Sequence, residues 1–448
     1  MKTVPTISLY KVLKNRKSIL KNPLPFHNAN FEKHGDTFKV NLGKNNTWVF
    51  TRSAESIRYI LQKNHKNYGK SHLQTKDLAK YVGHGLLTSN GEFWRVHRRM
   101  IQPAFHKKKL ESLFQIMFRA IQTELGSIKT NEKQDVFPLM GDLAFQAVAQ
   151  SLFSADNIRD RMQKLKHITT SNQKMLIKEM RLPYLKWWFH LKGEVSEHLK
   201  QSEVAKGLLN SIIQERIDSG EEKDDLLDML LAARYEDGSP MPRKQLIDEV
   251  LILFTAGHET TANALSFTLF LLAKHTHIQE KLFKEVDLID FDDNDLMSQL
   301  GKLCYTKQCI EESMRLFPPA YFFDRVSLGN DTLNGYKYKK NTVWLMSIYE
   351  LHRHPDYWED AYEFIPERFD PEKKNNFSNH YFPFGAGPRM CIGNNFAMFE
   401  MIFTVALIIK KYRLQTEAER VEINPLITLK PKEVILRFSS RKKERAMS

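Results

Sequence analysis

The chain has 448 residues with 67 Lys+Arg against 53 Asp+Glu, a formal charge of +14, and is 42% apolar and 27% charged. That balance excludes a disordered tail, a collagen-like fibre and a disulfide scaffold, and its three cysteines fit a reducing, cytoplasmic setting. The cations are spread along the chain without a nucleic-acid motif or a basic stripe interleaved with aromatics, so no nucleic-acid partner is expected.

Residues 1–30 read as a lead segment. Positions 1–21 hold no apolar run long enough for a signal peptide or a spanning helix, and no membrane anchor is expected. Apolar and polar residues alternate over 37–51 around an Asn-rich turn, which predicts a hairpin. Helical periodicity follows over 92–100, 110–125, 137–152 and 194–217. After the turn at Asp237-Gly238-Ser239-Pro240 the longest helix is predicted over 243–274. Another runs over 303–317 and is stopped by Pro318-Pro319. Short strands are expected near Tyr336 and Val343, then a Pro-, Gly- and Phe-rich loop over 366–388 and a helix over 392–411. The near-apolar run 401–409 inside that helix reads as buried, strands close the fold over 428–437, and 439–448 reads as a polar, solvated tail. With no repeat or linker, the expectation is one mainly α domain over 1–448 with a minor β-sheet region, as a monomer.

The most informative segment is Phe384-Gly385-Ala386-Gly387-Pro388-Arg389-Met390-Cys391-Ile392-Gly393. It places one cysteine at the start of a helix, where the helix N-terminus and Arg389 favour the thiolate. Gly387 and Gly393 would let the backbone approach a flat ligand, and Pro388 stiffens the turn. A thiolate held this way suits a soft or redox-active metal. Cys304 and Cys309 lack zinc-site spacing and read as small core residues.

Phe-x-x-Gly-x-Arg-x-Cys-x-Gly resembles the haem-binding loop of the cytochrome P450 monooxygenases. The resemblance makes Cys391 the axial ligand of a haem b iron, with Phe384 and Gly393 in its cradle; a thiolate ligand pushes electron density onto iron and favours O–O cleavage. Glu312 and Arg315 share a helix face. Alone they would be read as a surface ion pair. With Arg368 of Pro366-Glu367-Arg368-Phe369 they resemble the family's structural Glu-x-x-Arg and arginine triad.

Ala256-Gly257-His258-Glu259-Thr260-Thr261 lies in the long helix, where Gly and paired Thr suggest a local distortion. Ala256, Thr260 and Ala264 share a face, and Gly257 would leave room beside it. The resemblance makes this the oxygen-binding groove, with Thr260 and Glu259 as catalytic proton relay and Ala256 and Gly257 against the haem. The competing reading is a Thr pair bonded back to the preceding turn. His258 receives no ligand role. Trp94 and Arg98, four apart, resemble the family's propionate clamp, and Arg325 and Arg389 match two further arginines with that role.

Arg at 389 and Ala-Gly-His-Glu-Thr-Thr resemble the branch containing fatty-acid hydroxylases and microsomal enzymes. No flavin or iron–sulfur segment is left over, so electrons are expected from a ferredoxin or flavodoxin with its NAD(P)H reductase. Arg95, Arg99 and Lys107-Lys108-Lys109 would steer an acidic partner, or merely solubilise the chain. By resemblance, substrate contacts come from Leu86, Leu87, Leu253, Phe254, Ala256, Tyr321, Phe322, Leu426 and Ile427. This lining suits a fatty acid or terpenoid. The polar segment 74–84 and the aromatic faces would also take an O-methyl sugar, in which case the same oxygen insertion becomes O-demethylation with formaldehyde release. Other classes are a peroxide-driven or isomerising haem-thiolate enzyme, against which the Glu259-Thr260 pair speaks, and a non-catalytic haem sensor, for which no output domain is visible.

Overall fold

The alternating pattern of 37–51 becomes an antiparallel ladder because one face can be buried as a unit. In the computed structural model, which describes residues 3–441 other than 42–46, 155–157, 292–294 and 374–376, β1 (Thr6–Ile7) lies parallel to β2 (Thr37–Asn41). Strand β2 pairs with β3 (Thr47–Thr51), Phe38 opposite Phe50 with their rings stacked at 4.9 Å. The Asn-rich turn lies outside the described residues. Strands β4 (Tyr68–Gly69), β5 (Phe322–Ser327) and β6 (Val343–Ser347) complete a six-stranded sheet in the order β1-β2-β3-β6-β5-β4. Strand β5, not anticipated from the sequence, carries Arg325. The strand at Tyr336 forms a separate two-stranded ladder with Asp331–Leu333.

Helices make up most of the fold. The labelled ones are α1 (Leu9–Lys14), α2 (Gly91–Ile101), α3 (Lys107–Leu125), α4 (Val136–Phe153), α5 (Arg159–Arg181), α6 (Lys186–Leu191), α7 (Glu194–Ser219), α8 (Arg243–Lys274), α9 (Cys304–Leu316) and α10 (Asn394–Lys411). Helix α5, 23 residues long, was missed because Thr169, Asn172 and Glu179 occupy its buried stripe beside Met162, Leu165 and Met175 and so dilute the apolar period.

Helix α8 is the axis of the core. Its 32 residues are buried along most of their length, and it packs along α4 and crosses α9 and α10. Helix α4 is, among the described residues, the one helix long and apolar enough to cross a membrane, and it lies in the core between α3 and α8. The run 401–409 is buried as expected. The polar tail begins later than expected: Ser439 and Ser440 end a strand (Ile435–Ser440), and buried Arg441 pairs with Glu280 at 2.9 Å. The small hairpin of β7 (Ile423–Pro425) and β8 (Leu429–Pro431) folds back against α8.

Candidate active site

The cysteine loop is shaped by two glycines in the left-handed region, Gly385 (φ +76°) and Gly387 (φ +70°). A Cβ on Gly387 would fall 2.0 Å from the Leu61 carbonyl oxygen, so this glycine admits the chain to its own fold rather than to a ligand. Gly393 has no such constraint; a Cβ there would meet Phe105 at 3.9 Å. The Cys391 N–H donates to the Phe384 carbonyl at 2.9 Å, which closes the loop on itself. The residue keeps accessible surface although protein surrounds it.

Burial pushes the Cys391 thiol up, while the Gly393 N–H and the Arg98 guanidinium pull it down. Arg98, rather than Arg389, is therefore the cation beside the sulfur. Helix α10 starts at Asn394, so Cys391 precedes it by three residues.

Arg389 lies 4.0 Å over the Trp94 ring and donates to the Ser89 carbonyl (3.1 Å) and Asn90 Oδ1 (3.2 Å). Arg98 donates to the Met390 carbonyl at 2.9 Å, and Arg325, fully enclosed, to the Asp324 carbonyl at 2.7 Å. A fourth cation was missed. Lys70 is buried, and its ammonium donates to the carbonyls of Leu86 (3.4 Å) and Leu87.

None of these four cations forms a salt bridge with a carboxylate of the described residues. Arg389 is held down to about 10 by burial and by Arg325. Lys70 is held well below its ordinary value by burial and then by Arg325 and Arg389. Lys70 and Arg325 are buried and Arg98 and Arg389 half-buried, and among the described residues only buried Asp324 acts on Lys70 and Arg325 as a counter-charge, so the cluster keeps a surplus of positive charge that suits an anion. Two carboxylates on the edge of a flat ligand satisfy it, and the thiol opposite supplies a soft metal ligand. These residues fit a haem. In the sequence Lys70 is a lone lysine between Gly69 and Ser71, indistinguishable from surface charge.

In α8, Ala256 is exposed within an otherwise buried stretch. The Thr260 hydroxyl is half-buried and donates to the Ala256 carbonyl at 3.0 Å; Thr261 does the same to Gly257 at 3.0 Å. Thr255, Ser266 and Thr268 repeat the pattern, and the helix runs without a break where a distortion was expected. Gly257 does not open the groove: its missing Cβ would sit 3.2 Å from Val148, so it lets α4 and α8 approach.

Glu259 accepts from the Thr428 hydroxyl and lies 3.7 Å from Lys430, both next to or within β8; Asn263 donates to the same Thr428 oxygen at 3.1 Å. His258 is buried with its Nδ1 2.9 Å from the Phe254 carbonyl.

The triad is assembled. Arg315 grips Glu312 with two bonds, 2.7 and 2.8 Å, and Arg368 reaches Glu312 at 3.2 Å; Glu312 and Arg315 are fully buried. Cys309 is buried as expected, but Cys304 is exposed at the start of α9.

The substrate-side residues divide. Leu253, Leu87, Phe322, Leu426 and Ile427 are half-buried, and the buried Tyr321 hydroxyl donates to the Leu426 carbonyl at 2.8 Å. Leu86 is buried and donates its N–H to Glu249 at 3.0 Å. Phe254 is a correction: it is fully buried, with its ring edge-on to Phe145 at 5.1 Å and next to His258, on the face of α8 away from Ala256.

The polar segment 74–84 offers few free groups. Gln74 donates to Asp324, Asp77 pairs with Lys186 at 3.1 Å, and Lys80 and Tyr81 bind Glu179 at 2.6 and 2.7 Å. On the expected partner face Arg95 is paired with Glu92 and Arg99 with Glu236, while Lys109 is exposed; the side chains of Lys107 and Lys108 lie outside the description.

A cysteine loop with a cluster of cations beside it and a threonine-bearing core helix are the parts of a haem-thiolate protein. The model of the family "Cytochrome P450" matches residues 5–438, and the chain belongs to that family. It is thus a monooxygenase that uses haem and O₂, and the family generally draws electrons from redox partners. Among its relatives, rat "Cytochrome P450 4V2" is 29% identical over 401 residues, 83% of this chain and 75% of the relative. "Pentalenene oxygenase" of Streptomyces avermitilis is 26% identical, with 94% of each chain covered. The solved "cytochrome P450DA heme domain" superposes with a TM-score of 0.80 over 93% of this chain and 92% of that one, at 23% identity.

Proposed function

We propose that this P450 inserts one oxygen atom from O₂ into a C–H bond of an apolar substrate of the fatty-acid or terpenoid class. The observation that carries the reading is that Cys391, Ala256 and Thr260 all keep accessible surface although the loop and α8 belong to the core, with the Thr260 hydroxyl anchored to the Ala256 carbonyl. Apolar side chains line the substrate side, while Gln74, Asp77, Lys80 and Tyr81 are spent on ion pairs and internal hydrogen bonds, which favours hydrocarbon over sugar. The Streptomyces avermitilis relative, a pentalenene oxygenase by name, points the same way.

Cys391 would ligate the haem iron, with Arg98, Arg325, Arg389, Trp94 and Lys70 holding the propionates. When bound, the haem supplies the activation of O₂. The protein's part is to deliver protons and exclude bulk water. Thr260 Oγ, anchored to the Ala256 carbonyl, presents a hydroxyl to the cavity. Glu259 is steered by Thr428 and Lys430, so it can take a proton from the β7–β8 side and pass it towards Thr260. Arg98 and the Gly393 N–H favour the thiolate that the enclosing protein disfavours. A separate ferredoxin or flavodoxin with its reductase supplies electrons to residues 1–448, acting as one cytoplasmic, monomeric catalytic unit.

The test is an optical titration of the ferric protein with a fatty acid, a sesquiterpene and an O-methyl sugar, followed by turnover of Thr260→Ala. A low- to high-spin shift with the apolar ligands and a switch from product to peroxide in the variant are expected. A shift with the sugar alone, with formaldehyde in turnover, would replace hydroxylation by O-demethylation. Unchanged coupling in Thr260→Ala would remove the proton-relay role.

A further inference from the structure

Residues 83–89 lie against two adjacent acids of α8. Asp248 and Glu249 are 3 and 0% exposed, sit between Leu246-Ile247 and Val250-Leu251, and form no salt bridge among the described residues. Buried carboxylates without a cation are costly, so they persist where specific donors need them. Both acids spend an oxygen on one stretch of backbone. Asp248 Oδ2 accepts from the His84 N–H at 3.0 Å, and Glu249 Oε2 from the Leu86 N–H at 3.0 Å. Gln245, one turn earlier, closes the contact by donating to the His84 carbonyl at 2.7 Å and to Glu249 Oε1 at 3.1 Å. Two glycines permit the approach: a Cβ on Gly83 (φ +85°) would fall onto the Asp248 carboxyl group, and one on Gly85 2.5 Å from Glu249 Oε2.

The same stretch carries the carbonyls that hold a cation of the haem site. Leu86 gives its N–H to Glu249 and its carbonyl to the Lys70 ammonium at 3.4 Å, and the Leu87 carbonyl also accepts from Lys70. An ammonium has three protons, so two carbonyls fix the direction of the third. The stretch is tied within itself. Thr88 Oγ1 accepts from the Gly85 N–H at 3.0 Å and donates to the Gly83 carbonyl at 2.8 Å, and the Ser89 hydroxyl donates to the Gly85 carbonyl at 2.6 Å. Glu249 forms no bond to Lys70, so any action on it passes through the single residue Leu86.

We infer that Glu249 is a positioning residue of the haem site, with Asp248 as its second anchor: together they fix the 83–89 backbone so that the Leu86 and Leu87 carbonyls aim Lys70 at a propionate. This builds on the propionate reading of Lys70, and Lys70→Met tests that reading by itself. A precise site needs such a supporting layer behind the groups that touch the ligand.

The experiment follows haem transfer from the holoenzyme to an apoglobin, with hydrogen exchange of the haem-free chain over 83–89. Glu249→Leu should speed haem loss about tenfold, the worth of one charge-assisted bond, and raise exchange over 84–86. Glu249→Gln keeps an acceptor for the Leu86 N–H and should restore both. In a Lys70→Met background Glu249→Leu should add no further acceleration, because the cation it aims is gone; a merely structural acid would give the same factor in both backgrounds. Gln245→Met, at a half-buried position, provides a variant that spares the fold, and should give a smaller acceleration that also vanishes with Lys70→Met. Equal factors in both backgrounds, or a native rate in Glu249→Leu while Lys70→Met is fast, would overturn the positioning role and leave the propionate reading standing. A native rate in Lys70→Met would overturn both.

Discussion

Replacing Arg315 by Met tests the buried triad most directly. Arg315 is fully buried and spends all its donors: Nε and Nη2 on Glu312, Nη1 on the carbonyls of His352 (2.8 Å) and Ala361 (2.7 Å), and Nη2 also on that of Glu363 (2.9 Å). It also lies 5.0 Å over the Trp358 ring. Methionine fills a similar volume but leaves the Glu312 carboxylate with Arg368 and the Ile365 N–H as its remaining partners. Breaking a buried pair from one side costs about 3–5 kcal/mol. Each carbonyl left dry adds about 1–3 kcal/mol, less than additively. The sum approaches the entire stability of a folded domain, about 5–15 kcal/mol. The variant should therefore lose most of its soluble yield and unfold at much lower urea. Glu312→Leu/Arg315→Met should recover part of the loss, because the fully buried carboxylate goes with its partner, though the three carbonyls and the Ile365 N–H stay unpaired and Arg368 loses Glu312. An Arg315→Met protein within about 1 kcal/mol of the native one, or strictly additive single effects, would refute the reasoning.

Three further outcomes follow from the same geometry. Burial pushes the Glu249 carboxyl up to about 7 from 4.5. Its charged form is disfavoured in the fold, so native stability is full below about 4.5 and is lost as pH rises through about 7, by about 3 kcal/mol. Glu249→Gln keeps an acceptor for the Leu86 N–H and should match the native protein near pH 4.5 but exceed it at pH 8 in urea titrations; a native curve that rises across this window would contradict the assignment. Lys70→Met should relieve the ligand-free protein of a buried cation yet speed haem loss to an acceptor protein by about tenfold, the worth of one charge-assisted bond; an unchanged rate would remove Lys70 from the propionate site. Gly387→Ala places a Cβ against the Leu61 carbonyl at a φ of +70°, so it should abolish thiolate-type haem spectra, whereas Gly393→Ala should be mild.

Much of the fold was legible because its signals are local. The 243–274 helix reads from periodicity between Pro242 and His275 and recurs with those bounds. The Glu312–Arg315 pairing follows from helical spacing, and the cysteine loop is a contiguous string. Helix α5 hid because its buried stripe includes Thr169, Asn172 and Glu179, which find partners only in the folded chain: Asn172 in Ser202, Glu179 in Lys80 and Tyr81.

What the sequence by itself determined was the chemistry: one thiolate loop, one acid–threonine pair and one Glu-x-x-Arg, each defined by residues within a turn or two of each other. Only the tertiary structure decided which cation serves which group. Arg98 rather than Arg389 stands by the sulfur, Lys70 joins Arg325 and Arg389 from a different strand region, and Gly257 serves helix packing rather than the groove. The same holds for the outward turn of Tyr184, Trp187, Trp188 and Leu191, whose spacing alone would have buried them. The reason is physical: a side chain's spacing sets its helix face, but which neighbour covers that face depends on segments up to hundreds of residues away, and charge is compensated or left bare only once those segments meet.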